Sequence, residues 1–98
     1  MRIAVPKETA SDERRVALTP DGVKDIVALG HSVQVESGAG QGSYFSDSLY
    51  ESHGATIGID FPSVEMMLKV LPPTEAEISK LSPGATTVSF LNPTSNPA

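Results

Sequence analysis

The sequence predicts an α/β domain: a doubly wound parallel sheet of about five strands, with helices on its faces. The first observation is that short apolar runs alternate along the chain with segments whose apolar residues recur at helical spacing. The order strand–helix–strand repeats four times if the one helical turn for which "DFPSVE" leaves room is included, and this order favours parallel strands joined by crossover helices. The second observation is the length of 98 residues, which allows one modest hydrophobic core.

The first half of the chain predicts two strands and the helix between them. Residues 2–6 (RIAVP) form a short buried strand, and residues 32–37 (SVQVES) return to the period of two. Between them a helix begins with Thr19 as N-cap and Pro20 in the first turn, and Gly30 ends it.

The second half predicts two further helices and three strands. A short helix begins at Ser46 or Asp47, and another begins with a capping box that pairs Thr74 with Glu77. The latter helix is expected to bury Ile78 and Leu81. The strands are predicted over residues 55–59, 66–71 and 85–91.

The topology follows from the handedness of the connections. Right-handed crossovers favour a doubly wound sheet, and we prefer the flavodoxin-like strand order 2-1-3-4-5 to the dinucleotide-binding order. The fifth strand should need a covering helix, yet the chain leaves this strand with "FLNPTSNPA", which encodes none. We therefore expect these residues to be the front part of a longer protein; the alternative is that another chain covers the strand.

Composition excludes several classes of function. The net charge is −5 and the seven Lys and Arg residues are scattered, so no electrostatic footprint for nucleic acid or anionic membranes is present. The chain has no cysteine, which excludes disulfides and thiolate ligands, and its two histidines lack ligand spacing. With no apolar run of membrane-spanning length and no signal-peptide pattern, a cytoplasmic domain is expected.

The glycine-rich stretch "VESGAGQGSYFSD" raises the question of a dinucleotide site. Gly38 and Gly40 occupy the first two glycine positions of the fingerprint, and Asp60 follows at the distance expected of a ribose-binding acid. The third glycine position is Ser43, and the next helix begins several residues too late to direct its dipole at a phosphate. We favour a structural turn, with a coenzyme site as the alternative.

The segment "PKETASDERRVALTP" concentrates charge where the first strand ends. Lys7, Glu8, Arg14 and Arg15 cluster there, and an arginine at this edge could hold a carboxylate through two hydrogen bonds. The more ordinary interpretation, which we favour, is a network of surface ion pairs with the acids of the same segment, Glu8, Asp12 and Glu13.

Three other side chains have both a functional and an ordinary interpretation. Lys69 lies in an apolar strand and is either a ligand contact or a lysine whose head stays in water; we favour the second. His31 and His53 each follow a helix and are better explained as favourable charges at helix carboxyl ends than as catalytic bases.

Several motifs together resemble one known family. "MRIAVPKE", "ERRVALTP", "LGHSVQVESGAGQGSYFSD", "GATI", "LKV" and "LSPGATTVSFLNPTSNP" are similar, in order and spacing, to the start of the alanine dehydrogenase and nicotinamide nucleotide transhydrogenase family. The resemblance implies a flavodoxin-like first domain, completed by a segment that returns after a Rossmann domain that binds NAD(H). Residues 1–98 would then be the amino-terminal part of the first domain, and the NAD-binding domain would lie outside them.

The resemblance also assigns site residues. Arg15 matches the arginine that grips the substrate carboxylate in alanine dehydrogenases. The substrate lysine position holds Leu71, and the catalytic histidine position holds Asn92. Neither can replace a cation or a titrating base. We therefore expect Arg15 as the sole substrate-binding candidate, and no catalytic, cofactor-binding or metal-binding residue.

The ending "VSFLNPTSNP" resembles the alpha-subunit branch of proton-translocating transhydrogenase, which passes hydride from NADH to NADP⁺. This implies NAD on the downstream domain and NADP on a partner subunit. The implied partners are membrane and NADP-binding subunits and a second copy of the full-length subunit, with a cytoplasmic location at the inner membrane. The alternatives are an alanine dehydrogenase-like, NAD-dependent amino-acid dehydrogenase and a small non-enzymatic α/β interaction module.

Overall fold

The computed structural model describes residues 1–9 and 13–90. Among them, five strands form one parallel sheet in the order β3-β2-β1-β4-β5. The strands are β1 (Arg2–Val5), β2 (Ser32–Val35), β3 (Thr56–Ile57), β4 (Met66–Lys69) and β5 (Thr86–Ser89). The helices are α1 (Pro20–Ala28), α2 (Asp47–Ser52) and α3 (Glu75–Ser79), with short 3₁₀ turns at Gln41–Ser43 and Phe61–Ser63.

The helices begin at the predicted residues. Thr19 caps α1 and Ser46 caps α2, each accepting a backbone N–H of the first turn at 3.2 and 3.1 Å. The capping box of α3 is complete: Thr74 N donates to Glu77 Oε1 at 2.8 Å, and Glu77 N donates to Thr74 Oγ1 at 3.2 Å. Because such caps satisfy backbone groups that the helix itself leaves unpaired, these local signals predict helix starts well.

The predicted fold class is confirmed, and the strand order is close to the predicted one. It differs in the place of β3, which lies outside β2 instead of between β1 and β4. This is also the order of the first five strands in dinucleotide-binding sheets. The reason lies in the strands themselves: β3 has only two residues with Thr56 exposed, whereas β4 buries Met67 and Leu68 and suits a central position.

The core lies on both faces of the sheet, as expected of a doubly wound fold. Successive β1 residues point to opposite faces: Val5 joins one cluster and Ala4 the other. The first cluster packs under α1 and α2 and contains Val5, Val23, Val33, Val35, Ala39, Tyr50 and Ala55. The second contains Ala4, Val64 and Met67, with Ile59, Phe61 and Leu81 packed against it.

The outer side of α3 and β5 is less covered. Leu81 packs against the second cluster as predicted, but Ile78 is 50% exposed, so its predicted burial is wrong. α3 is only five residues long, and the face that carries its buried Glu77 is the one turned inward. Phe90, just after β5, is 55% exposed. No helix among the described residues is long and apolar enough to cross a membrane.

Candidate functional site at the carboxyl edge of the sheet

The sheet has one topological switch point, where ligands of open α/β folds usually bind. Strands β2 and β3 lie on one side of β1, and β4 and β5 lie on the other, so the order reverses between β1 and β4. Three loops meet at this carboxyl edge: the arginine loop after β1 (residues 13–19), the glycine loop after β2 (residues 36–46) and the segment after β4 (residues 70–74). The candidate site is assembled from these loops.

Lys69, the last residue of β4, is buried at 2% exposure at this edge. Its Nζ donates to Glu77 Oε1 at 2.8 Å and to Glu77 Oε2 at 3.0 Å, and it lies 3.6 Å from Glu8 Oε1. The expectation that the lysine head stays in water is therefore wrong. Burial is tolerated because two carboxylates supply the partners that a desolvated ammonium requires.

Glu8 connects the loop after β1 with the segment after β4. Its carboxylate accepts hydrogen bonds from Val70 N at 3.0 Å and Leu71 N at 3.3 Å, and the residue is 7% exposed. It is thus a buried structural acid and not a member of a surface network. Because it bridges the two strands that flank the switch point, side chains of the protein itself occupy this part of the crevice.

The charge balance of this cluster disfavours anions. Burial alone would raise the pKa of Glu77, but hydrogen bonds from Lys69 and Thr74 outweigh it and lower the pKa of that carboxyl group. Glu77 therefore pairs with the Lys69 ammonium as a carboxylate, and Glu8 Oε1 lies 3.6 Å from the same ammonium. A phosphate or carboxylate ligand at this position would meet a net negative charge.

Arg15 lies in the arginine loop with its side chain 59% exposed. Its Nε donates to Glu13 Oε2 and its Nη2 to Glu13 Oε1, both at 2.7 Å, and its backbone N donates to Glu13 Oε2 at 2.9 Å. These hydrogen bonds from Arg15 lower the pKa of Glu13 to about 2. The ion pair with Glu13 thus uses Nε and Nη2 of the guanidinium, and Nη1 takes no part in this pair.

The start of the glycine loop is held by Asp47, which the sequence indicated only as a candidate helix cap. Asp47 accepts the Ser37 hydroxyl at 2.7 Å and Gly38 N at 2.9 Å. The hydrogen bond from Gly38, followed by that from Ser37, lowers the pKa of Asp47. A phosphate would need this same amide and would meet a carboxylate beside it. Asp60 lies beyond β3, one of the two edge strands, and its backbone N donates to Gln34 Oε1 at 2.9 Å.

Gly40 is explained by packing. A Cβ at this position would lie 2.6 Å from the Tyr50 ring and 2.8 Å from the Phe45 carbonyl oxygen, and Tyr50 is fully buried. The loop therefore needs glycine there so that its backbone can pass directly over an aromatic side chain of the core. This contact favours the structural interpretation of the glycine loop without reference to a ligand.

Of the remaining candidate residues, Lys7 lies beside the glycine loop, whereas His31 and His53 lie elsewhere. Lys7 has an exposed side chain and donates its backbone N to Glu36 Oε1 at 2.7 Å, and a Cβ at Gly38 would lie 3.7 Å from its Nζ. His31 Nδ1 lies 3.0 Å from the terminal amino group, and His53 Nδ1 lies 2.8 Å from the Leu49 carbonyl at the end of α2. Asn92 falls outside the described residues. Within the described part of the chain, no three His, Asp or Glu residues are grouped as metal ligands.

Comparison with known proteins gives consistent matches. Residues 4–98 match the family described as "Alanine dehydrogenase/PNT, N-terminal domain". The chain belongs to this family. Alanine dehydrogenase from Halomonas elongata is 43% identical over 96 residues, which cover 94% of this chain and 26% of the relative. Alanine dehydrogenase from Bacillus subtilis is 43% identical over 100 residues, covering 99% of this chain and 26% of the relative.

Two solved structures of the alanine dehydrogenase/PNT family also match. Transhydrogenase from Sinorhizobium meliloti superimposes with a TM-score of 0.88 at 36% identity, covering 93% of this chain and 28% of that chain. An L-alanine dehydrogenase superimposes with a TM-score of 0.73 at 38% identity, covering 84% of this chain and 24% of that chain. The chain thus spans about a quarter of the length of the relatives it matches. Members of the family are NAD(P)-dependent oxidoreductases.

Proposed function

We propose that this chain is the amino-terminal portion of a NAD(P)⁺ transhydrogenase alpha subunit, in which it acts as a scaffold and as one wall of the NAD cleft. Hydride would pass from NADH, bound by the downstream domain of the same subunit, to NADP⁺ on a partner subunit. The full-length subunit would form a homodimer and associate with the membrane through its partner subunits, on the cytoplasmic side. These 98 residues would themselves catalyse nothing.

Leu71 carries this proposal. It follows β4 at the carboxyl edge, at the position where the resemblance implies the substrate lysine of alanine dehydrogenases. Its backbone N is bound to Glu8, so the chain passes the same edge with an aliphatic side chain in place of a cation. A subunit that transfers hydride between two coenzymes needs no amino-acid pocket here, and loss of this charge would not impair it.

The electrostatics of the edge support the same proposal. The nearby lysine, Lys69, is neutralised by Glu77 and Glu8, and Arg15 is paired along one edge with Glu13. An amino-acid substrate would therefore have one partly engaged arginine for its carboxylate. Asn92, at the position of the catalytic histidine, cannot accept a proton at neutral pH.

The second candidate function is that of an alanine dehydrogenase-like amino-acid dehydrogenase with an altered pocket. The specific observation in its favour is the identity of 43% to two alanine dehydrogenases over nearly the whole chain. In that case the Nη1 group of Arg15, which lies outside the pair with Glu13, would receive the substrate carboxylate.

Assays of the full-length gene product separate the two candidates. Combined with its membrane and NADP-binding partners, it should transfer hydride from NADH to an NADP⁺ analogue, and pyruvate with ammonium should not accelerate NADH oxidation. Rapid pyruvate- and ammonium-dependent oxidation of NADH would instead establish the dehydrogenase. The coding sequence downstream of Ala98 should encode an NAD-binding Rossmann domain under both candidates, and its absence would contradict both.

A further inference from the structure

The last glycine of the glycine loop touches the backbone of the arginine loop. A Cβ at Gly42 would lie 2.7 Å from the Arg14 carbonyl oxygen and 2.8 Å from Arg14 Cα. These are backbone atoms, so a side chain at position 42 could be accommodated only if one loop moved away from the other. Gly42 therefore allows the two loops to lie in direct contact.

Two hydrogen bonds hold the arginine loop near its two ends. The Ser43 hydroxyl donates to the Arg14 carbonyl at 2.7 Å. The hydroxyl of the fully buried Tyr50 donates to the Leu18 carbonyl at 2.8 Å. The backbone on either side of Arg15 is thus attached to the glycine loop and to α2, which are themselves anchored in the core.

The attachment at Arg14 has a direct consequence for its neighbours. The pair between Glu13 and Arg15 consists of three hydrogen bonds that span Arg14, because the two partners are adjacent to it on either side. The position of the Arg14 peptide therefore sets the direction in which both side chains leave the backbone. A shift of that peptide would change the geometry of all three hydrogen bonds together.

We propose that Gly42 and Ser43 are positioning residues for the Arg15 guanidinium. By fixing the Arg14 peptide they hold the Arg15 guanidinium against Glu13. The glycine loop resembles a coenzyme-binding fingerprint, but its role in this proposal is to hold the arginine loop in position. This assignment concerns the conformation of Arg15 alone and holds for either candidate function, so its test is independent of the activity assays.

The test uses the resonance of the Arg15 Nε–H group, which is hydrogen-bonded to Glu13 and can be assigned by its loss in Arg15→Lys. Ser43→Ala should shift this resonance and accelerate its exchange with water by about fivefold, the factor that corresponds to one ordinary hydrogen bond. Ser43→Thr keeps a hydroxyl and should restore both properties. Gly42→Ala should have a larger effect than Ser43→Ala.

Ser79→Ala is the matched control, because it removes a hydroxyl-to-carbonyl hydrogen bond of 2.9 Å to Ala76 in α3, a helix that makes neither of the two attachments to the arginine loop. It should leave the Arg15 resonance unchanged. Methyl resonances of Val5 and Val33 report whether each variant keeps the core intact. An unchanged Arg15 resonance in folded Ser43→Ala, or equal effects of Ser43→Ala and Ser79→Ala, would overturn the assignment.

Discussion

The Lys69 ammonium lies 2.8 Å from Glu77 Oε1 and 3.6 Å from Glu8 Oε1, so one buried cation serves two carboxylates from different parts of the chain. Glu8 comes from the loop after β1, and Glu77 from the first turn of α3. The cluster therefore joins both sides of the topological switch point. In this domain the crevice where a parallel sheet usually receives a ligand is bridged by internal ion pairs.

Removal of the Lys69 ammonium should destabilise the protein strongly. In Lys69→Met, two buried carboxylates lose their partner, and the free energy of unfolding should fall by about 3–5 kcal/mol, the range for breaking a buried ion pair from one side. Denaturant unfolding measures the change. Lys24→Met, on the exposed side of α1, provides the matched control and should change stability little. Equal losses in the two variants would show that Lys69 is not the partner of these acids.

Acid should destabilise the protein through carboxyl groups whose pKa is lowered in the folded state. The pKa of Glu13 falls from 4.5 to about 2 through its hydrogen bonds with Arg15. The pKa of Glu77 is also lowered, since the hydrogen bonds from Lys69 and Thr74 outweigh its burial. Such groups stabilise the fold above their unfolded pKa and lose that contribution as the pH falls towards the folded one.

The free energy of unfolding should therefore decrease as the pH is lowered from 4.5 towards 2. Glu13→Gln and Glu77→Gln should each make this decrease less steep. Glu51→Gln, an exposed change on α2, serves as control and should follow the parent curve. Parallel curves for the parent, Glu13→Gln and Glu77→Gln would contradict the assigned pairs.

Tyr50 should make stability sensitive to alkaline pH. Burial raises the pKa of Tyr50 to about 12 from 10.0. Its contribution is complete below pH 10 and is lost as the pH rises towards 12, because the unfolded chain ionises first. Tyr50→Phe leaves the Leu18 carbonyl without its donor and should cost about 1 kcal/mol at neutral pH.

The hydrogen bond from Tyr50 to Leu18 stabilises the fold at neutral pH, whereas burial of the phenol lowers stability at alkaline pH. The two effects should therefore oppose each other when unfolding is measured over a pH series. Tyr50→Phe should be less stable than the parent at neutral pH, and the difference should shrink as the pH approaches 12. Tyr44→Phe is the natural control, since Tyr44 is 90% exposed. A difference between parent and Tyr50→Phe that stays constant across this range would show that the phenol is not buried as described.

Packing at the glycine loop can be tested by comparing two glycines whose added methyl groups would meet neighbours at similar distances. Gly40→Ala would place Cβ 2.6 Å from the buried Tyr50 ring and should cost about 1–3 kcal/mol, as overpacking of a core does. Gly22→Ala would place Cβ 2.7 Å from Leu18 Cδ1, the end of a flexible side chain. It should cost clearly less, and a larger loss in Gly22→Ala would contradict this view of the loop.

The sequence predicted local structure well because the relevant interactions are local. Thr19, Ser46 and the pair Thr74 and Glu77 cap helices through atoms only three residues apart, so spacing alone identifies them. The alternation of apolar runs and helical segments was also sufficient for the parallel α/β fold class. This alternation was not sufficient to predict the position of β3, since strand order depends on which strands can be buried on both faces.

The candidate site was harder to predict, because its contacts join residues distant in sequence. The capping box identified Glu77 as a helix residue, but nothing in its spacing indicates that it also binds Lys69 at the end of β4. The attachment of the glycine loop to Arg14 likewise joins two loops from different strands. A buried lysine in an apolar strand was the available signal, and its acid partners could be identified only after the fold was known.

Internal contacts occupy the glycine loop and the switch point of this domain, and we propose that the coenzyme of the full-length protein binds outside it. Titration of the 98-residue chain with NADH, followed by nicotinamide fluorescence and calorimetry, is the decisive experiment for this proposal. We predict no saturable binding below millimolar concentration, which corresponds to less than about 4 kcal/mol of binding free energy. Saturation at micromolar NADH that is abolished by Gly38→Ala or Asp60→Asn would contradict it.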